Sequence, residues 1–412
     1  MKTPSLPDLS RRQFLGGSIA VAAVSTLGSH ALLGADPAAP APTFTRKIRV
    51  GVIGNGGRGS WIAKLFKAHG GYEMWAVADY FQEVADKCGD ELGVDPARRF
   101  STLSGYKRLI ESGVEAVVVE SPPYFIPTHV TAAVEAGLHV YMAKPVAADV
   151  PGALQIEAAG KRSSRQQRCF LVDYQLPTDP HNLEVATRIR DGGLGQIVRV
   201  VTTGHCGPQN DPPKTANLES RLRELIWVND VAMGCDYLGN FDIHAIDAAL
   251  WALGRRPVAA TGSSAIRRPD PHGDARDVCA LIYEYADGLI HQHAGQALKN
   301  NNAGELSAAI HGTEANAFLT YWGKAFLKGG PKHYGGGTVD NLYIAGAERN
   351  IARFYREVTA GKFENETCQR AVDGVLTCVL GYEAAARHTY LTMDALLKEN
   401  KRMEVDLRGL RT

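Results

Sequence analysis

Gly54-Asn55-Gly56-Gly57-Arg58-Gly59 is the stretch whose residue types and spacing speak most directly of chemistry. It follows an apolar run over residues 46–53 that reads as a buried strand, and it opens a segment at 60–66 that reads as the start of a helix. In a G-x-G-x-x-G turn between strand and helix each glycine has a task. Gly54 permits the tight turn, Gly56 lets the backbone approach a pyrophosphate, and Gly59 lets helix and strand pack closely. The helix N-terminus then offers free N–H groups and a partial positive charge to the phosphates. A glycine-rich loop with no ligand fits these six residues equally well, so a second feature has to separate the two readings. Residues 73–78 read as a second strand ending at Asp79, which lies 25 residues past Gly54. An acid near that spacing suits the ribose hydroxyls of an adenosine half. Asp79 favours NAD over NADP, because a 2′-phosphate would face a carboxylate. Arg58 is a cation able to offset that preference, so NADP stays open.

Elements of a familiar alternation must position these residues. Strand-like runs at 116–120, 139–142 and 168–172 alternate with helical segments at 128–136, closed by Gly137, and at 153–161. Such alternation implies a doubly wound parallel sheet. Lys144-Pro145 reads as a hinge towards a second domain. Near residue 195 the pattern changes to strands at 197–203, 258–264, 278–285, 289–295, 306–311 and 317–321, with a helix around 247–253. That describes a mainly antiparallel sheet with one face covered. Helices return at 350–359 and 370–399, and one of them is expected to reach back to the first domain. The expected fold is an α/β Rossmann N-terminal domain over 46–175, followed by an α+β domain over 176–400 with a large, mainly antiparallel open sheet. A one-sided sheet needs a cover, which points to a homodimer or homotetramer.

The N-terminus carries a different signal. Arg11-Arg12 precedes a mildly apolar stretch of small residues, the pattern of a bacterial twin-arginine (Tat) leader. Residues 1–35 read as that signal peptide, with Ala31 and Ala35 as candidate cleavage ends. Residues 36–45 read as an extended Pro/Ala arm, either a tether or a segment that lies on a neighbouring subunit. No membrane span is expected after cleavage, and the location is periplasmic. Tat carries folded proteins, which suits an enzyme that loads its nucleotide in the cytosol and keeps it. Formal net charge is +1 with no long basic run, so nucleic acid is not an expected partner. The seven cysteines form neither C-x-x-C nor a metal-type His/Cys spacing, and no metal is expected. His291 and His293 share one strand face without an evident third ligand.

With these segments in view, the chain resembles the Gfo/Idh/MocA oxidoreductases over about residues 46–400. The resemblance rests on the glycine turn; on Ser121-Pro122-Pro123 ahead of Ala136-Gly137; on His139 to Pro145; and on Asp236 through Asp247, with His244 inside. It implies an NAD(P) site built by Gly54, Asn55, Gly56, Gly57, Arg58, Gly59, Asp79, Ser121, Pro122 and Lys144. Lys144 takes the nicotinamide end, where an ammonium can hydrogen-bond a substrate hydroxyl and stabilise an alkoxide as hydride leaves. The family usually has Glu-Lys-Pro there, and this chain has Ala143. His244 matches the catalytic histidine and can take the hydroxyl proton, since an unperturbed imidazole titrates near about 6.5. Asn240 replaces an acid one helical turn earlier and can orient His244 or a sugar hydroxyl, with Asp242 or Asp236 as compensating charges. Tyr174, Gln175 and Asp247 are the expected substrate-side residues, Asp247 fitting a capping or His-orienting role equally. The implied activity is that of an exported NAD(P)-dependent oxidoreductase acting on a CH–OH group of a sugar, glycoside or cyclitol, with its cofactor tightly bound. Two alternatives use the same residues. One is an NAD-dependent glycoside hydrolase working by oxidation, elimination and reduction. The other is a non-catalytic sugar or nucleotide sensor, motivated by Ala143 and Asn240.

Overall fold

The computed structural model describes residue 44 and residues 46–412, apart from 210, 212–216, 224–225, 302 and 362. The expected leader and nearly all of the expected arm lie outside the described residues.

The first half of the chain builds six parallel strands: Ile48–Ile53 (β1), Tyr72–Ala78 (β2), Arg99–Phe100 (β3), Ala116–Val119 (β4), His139–Met142 (β5) and Phe170–Val172 (β6). Their order is β3-β2-β1-β4-β5-β6. β4, β5 and β6 are buried throughout, which is why their sequences are continuous apolar runs instead of alternating ones. The order reverses between β1 and β4, and the crevice at their carboxyl ends is where a doubly wound sheet binds its ligand. One core joins β1 and β2 to helices Gly57–His69 and Gln82–Leu92. The other core joins the opposite face to helices Ile126–Glu135 and Val150–Arg165. Lys144-Pro145 is not a boundary between the halves, since helix Val150–Arg165 and β6 still follow before the chain leaves this sheet.

The second half builds nine strands: Ile197–Cys206 (β7), Ala259–Ala265 (β8), Val278–Glu284 (β9), Ile290–Ala297 (β10), Glu305–Gly312 (β11), Ala315–Thr320 (β12), Gly323–Gly329 (β13), Tyr334–Val339 (β14) and Leu391–Thr392 (β15). They lie in the order β14-β13-β12-β11-β7-β10-β9-β8-β15. Every neighbouring pair is antiparallel except β7 with β10. Helices Pro180–Arg190 and Ile243–Leu253 cover the inner face with an apolar core of their own. Helix Leu342–Ala360 then returns to the first half, where Ile351, Phe354 and Tyr355 join the core of β1 and β2. Among the described residues no helix is long and apolar enough to cross a membrane.

Candidate active site

The glycine turn sits at the carboxyl end of β1. Gly54 has φ +88°, a left-handed conformation that suits glycine, and its N–H donates to the Ala78 carbonyl at 2.8 Å. A Cβ on Gly59 would stand 1.8 Å from the Gly54 carbonyl oxygen, so helix and turn meet at a distance only glycine allows. A Cβ on Gly56 would meet no atom within 4 Å. No side chain caps the helix that begins at Gly57. Open space over Gly56 and uncapped first-turn amides are the features a dinucleotide pyrophosphate requires, and the site fits such a group.

Asp79 is tied into this turn. Its carboxylate accepts from the Asn55 N–H at 2.7 Å and from the Phe81 N–H at 3.0 Å, and burial raises its pKa above the usual carboxylate value. Each oxygen retains acceptor capacity for a ribose hydroxyl. Asn55 uses its backbone N–H on Asp79, and its side-chain amide donates to the Val52 carbonyl, so it shapes the turn from inside. Ser121 and Pro122 flank the crevice from the end of β4, with the Ser121 hydroxyl 2.8 Å from His129 Nδ1.

Arg58, expected among the cofactor-binding residues, is held by partners within the protein. Its guanidinium pairs with Glu120 at 3.0 Å and Asp173 at 2.5 Å, and it donates to the Tyr343 hydroxyl at 2.8 Å. Both acids have fully buried side chains. A buried pair of carboxylates attracts the nearest cation inward, and sequence spacing could not show that Asp173, 115 residues away, shares the spot. Burial pushes the Glu120 carboxyl up to about 7, with Arg58 pulling the other way.

Lys144 leaves the carboxyl end of β5 and donates from Nζ to the Asn240 carbonyl. Burial, with Arg58 adding to it, draws its pKa down to about 7. Asn240 lies in a turn of π-helix, Leu238–Asp242, that runs into helix Ile243–Leu253. Cys235 and Asp236 just ahead of this turn both have positive φ, at 65° and 62°. Backbone strain and π-turns of this kind gather at functional sites. His244 follows in the first helical turn, 6% exposed, with Nδ1 lacking any partner. Burial, then the charges of Lys144 and Arg58, lower its pKa well below the ordinary imidazole value, so it is neutral at pH 7. Its ring stands edge-on to Tyr174 at 6.3 Å and to Tyr321 at 5.0 Å.

The structure therefore brings Lys144, Asn240, His244 and Tyr174 together. Gln175 and Asp247 sit behind them. The Gln175 side-chain amide donates to Asp173 at 2.6 Å and its oxygen accepts from the Tyr321 hydroxyl at 2.9 Å. Asp247 is fully buried and ion-paired with Arg370 at 2.7 Å, an arrangement that anchors the helix from below. Asp242 is likewise buried, with its carboxylate engaged by the nine-stranded sheet. His293 Nε2 lies 3.0 Å from its carboxylate, His293 Nδ1 lies 2.9 Å from the Thr202 hydroxyl, and that hydroxyl lies 2.7 Å from His291 Nε2. Cβ atoms on Gly204 or Gly295 would come within 2.2 Å of the Asp242 carboxylate, so the sheet opens room for this acid. Cys279 completes a group of three donors within 4.8 Å of one another. The sequence shows His291 and His293 on one strand face with no evident third ligand; the group joins His293, without His291, to an acid from a distant helix turn.

Comparison with known proteins agrees with this architecture. Residues 48–172 match the family profile described as an oxidoreductase family with an NAD-binding Rossmann fold, and residues 182–318 match the GFO/IDH/MocA C-terminal domain. Residues 8–28 match a twin-arginine translocation signal. An inositol 2-dehydrogenase of Rhizobium meliloti is 24% identical over 58% of this chain, and the match spans 66% of that relative, just under two thirds of its length. The aldose-aldose oxidoreductase of Caulobacter crescentus superposes with a TM-score of 0.67 at 19% identity, covering 84% of this chain and 100% of that one. A levoglucosan dehydrogenase in complex with NADH and levoglucosan superposes at 0.69 with 17% identity, over 84% and 100% of the two chains. At such identities the superpositions speak for the fold, and the two family profiles together speak for descent. The chain belongs to the GFO/IDH/MocA family of oxidoreductases.

Proposed function

We propose that this chain is an exported NAD(P)-dependent dehydrogenase that oxidises a CH–OH group of a sugar, glycoside or cyclitol and keeps its cofactor bound through turnover. The observation that carries the reading is the state of Lys144. Its half-buried side chain leaves the carboxyl end of β5 and donates to the Asn240 carbonyl, and its pKa is drawn down to about 7, so at neutral pH a large fraction is an unprotonated base. A substrate hydroxyl seated on Nζ gives its proton to the amine. The resulting ammonium then faces the developing oxyanion and the Asn240 carbonyl. The nicotinamide of a bound dinucleotide supplies the hydride acceptor. His244, held neutral, orients the hydroxyl through a ring nitrogen, and the Tyr174 ring walls the pocket. This assigns proton transfer to Lys144 more than to His244, whose burial disfavours the imidazolium.

The substrate class follows the relatives, which are named for inositol, aldoses and levoglucosan, all polyhydroxylated rings. The twin-arginine signal supports export. A cofactor that remains bound outside the cytosol must return to its starting state in every cycle, either through a second sugar or within one glycoside.

The test is to purify the mature protein from a Tat-competent host, denature it, and assay the supernatant for NAD(H) and NADP(H). Near-stoichiometric nucleotide is the expected result, followed by turnover on sugar and glycoside panels. Aglycone release without net NADH would assign the glycoside-cleaving cycle. Protein that carries no nucleotide and binds none when it is added would sink the dehydrogenase reading.

A further inference from the structure

The chain does not end with its last helix, Met393–Glu399. It runs on as a tail over residues 401–412, in which Met403, Val405 and Leu407 are half-buried while Glu404, Asp406 and Arg408 are exposed. A period of two is what an extended segment lying on a surface produces. The tail crosses from the second half of the molecule onto the first. The Met403 N–H donates at 2.8 Å to Asp149, the acid that caps helix Val150–Arg165. The Leu103 N–H donates to the Arg411 carbonyl at 3.0 Å, and the Arg411 N–H donates to the Tyr80 hydroxyl at 3.1 Å. The Arg411 guanidinium stands 5.2 Å from the centre of the Tyr80 ring and 3.5 Å from the Glu219 carboxylate.

These anchor points have a definite place. Tyr80 follows Asp79, and Leu103 lies just past the end of β3. In a sheet ordered 3-2-1-4, the carboxyl ends of β2 and β3 are the side of the switch point that takes the adenosine half of a dinucleotide. A second cation arrives there from the second half of the chain. Arg223 lies 3.9 Å from the centre of the Phe81 ring and pairs with Glu83 at 3.0 Å. Beneath the tail is a cavity of about 220 Å³, walled by Leu103, Tyr106, Tyr124, Arg402 and Leu407 among others. At Met403 the tail packs into a small core with Val228, Val231 and Tyr237, and beyond the hollow its far end is held at Arg411 by a few surface bonds.

We propose that the C-terminal tail is part of the cofactor site: Arg411, docked on Tyr80, closes the adenosine end of the crevice and slows the release of the bound dinucleotide. The proposal rests on the reading of the crevice as an NAD(P) site. The test is NADH release from the full mature chain, followed by stopped-flow nicotinamide fluorescence on displacement with excess NAD. It is repeated on Arg411→Ala, on Tyr80→Phe and on a chain ending at Asn400. Release is expected to quicken by about tenfold in the shortened chain, and by several-fold in each point variant, since removing an interaction made in the bound state acts on the off-rate. If the shortened chain fails to fold, the two point variants, at exposed Arg411 and half-buried Tyr80, carry the test alone. Equal release rates in the full chain and the folded variants overturn the proposal. A full chain that binds neither NADH nor NADPH overturns both the proposal and the reading on which it rests.

Discussion

At the scale of single residues, the proposed role of Lys144 turns on its ionisation. With its pKa near 7, oxidation of an alcohol is expected to rise about tenfold per pH unit below that point and to level off above it, because only the free amine accepts the proton. The reverse reduction is expected to show the opposite slope. A kcat-against-pH profile checks both. Lys144→Arg places a permanent cation at the same point, and it is expected to lower kcat by about 10²–10⁴-fold while NADH binding stays measurable. Asp247 invites a different test. Its carboxyl is fully buried, raised to about 6 by burial and held down only by Arg370. Arg370→Ala leaves that charge without its partner, and about 3–5 kcal/mol of stability is expected to go at pH 7. A carboxyl whose folded pKa is raised favours the folded state at low pH and loses that contribution as pH rises through the folded value. The deficit of the variant is therefore expected to be smaller at pH 5 than at pH 7, in denaturant unfolding at the two pH values. A deficit that grows towards pH 5 would contradict the assignment of Asp247 as the group left unpaired.

At the scale of elements, the glycine turn separates two roles that sequence alone leaves merged. Gly56 has φ −62° and open space where a Cβ would go, so Gly56→Ala is expected to change stability by less than about 0.5 kcal/mol. It fills the approach to a pyrophosphate, and the expected loss in NADH affinity is at least about 1.4 kcal/mol, or tenfold in Kd. Gly59→Ala drives a methyl into the Gly54 carbonyl, and about 1–3 kcal/mol of stability is expected to be lost before any ligand is added. Thermal melts of the apo variants beside NADH titrations distinguish the two. The turn, β1, β2 and Asp79 are legible in the sequence because each depends on near neighbours in the chain. β13 and β14 are not, since Gly323, Gly329, Gly335, Gly336 and Gly337 mask the alternation that marks a strand. The inward turn of Arg58 is equally hidden, because it depends on Asp173 and Tyr343, which only the tertiary fold brings near. The π-turn under Asn240 has the same cause. Its strained entry at Cys235 and Asp236 is held in part by a distant backbone, the Asp236 carboxylate accepting from the N–H of Arg276 as well as from that of Tyr237.

At the scale of the whole molecule, the two halves are interlocked, and among the described residues one face of the larger sheet carries a half-buried apolar row. Helix Leu342–Ala360 completes the core of the first half, and helix Glu366–Arg387 packs its Cys368, Ala371 and Val372 into the core shared with helix Val150–Arg165. Neither half buries its apolar surface alone. The outer face of the nine-stranded sheet is a separate matter. Residues directly opposite one another form a row across six strands: Phe326, Phe318, Ala309, Val201, Gln292 and Ile282. Five of the six are apolar, none is fully buried, and Phe318 and Phe326 stack with ring centres 5.7 Å apart. An antiparallel sheet that faces water normally alternates polar residues outward, so an apolar row in the outward register calls for a cover. A second copy of the same chain offers the same row, and a two-fold axis through the sheet brings one row against the other. The protein is therefore expected to be at least a dimer by light scattering. Ala309→Arg, which sets a charge in the middle of the row without touching either core, is expected to give a monomer that retains its NADH affinity. If this variant keeps the mass of the unaltered protein, the assembly uses another surface, and the apolar row must be covered within the chain or left to solvent.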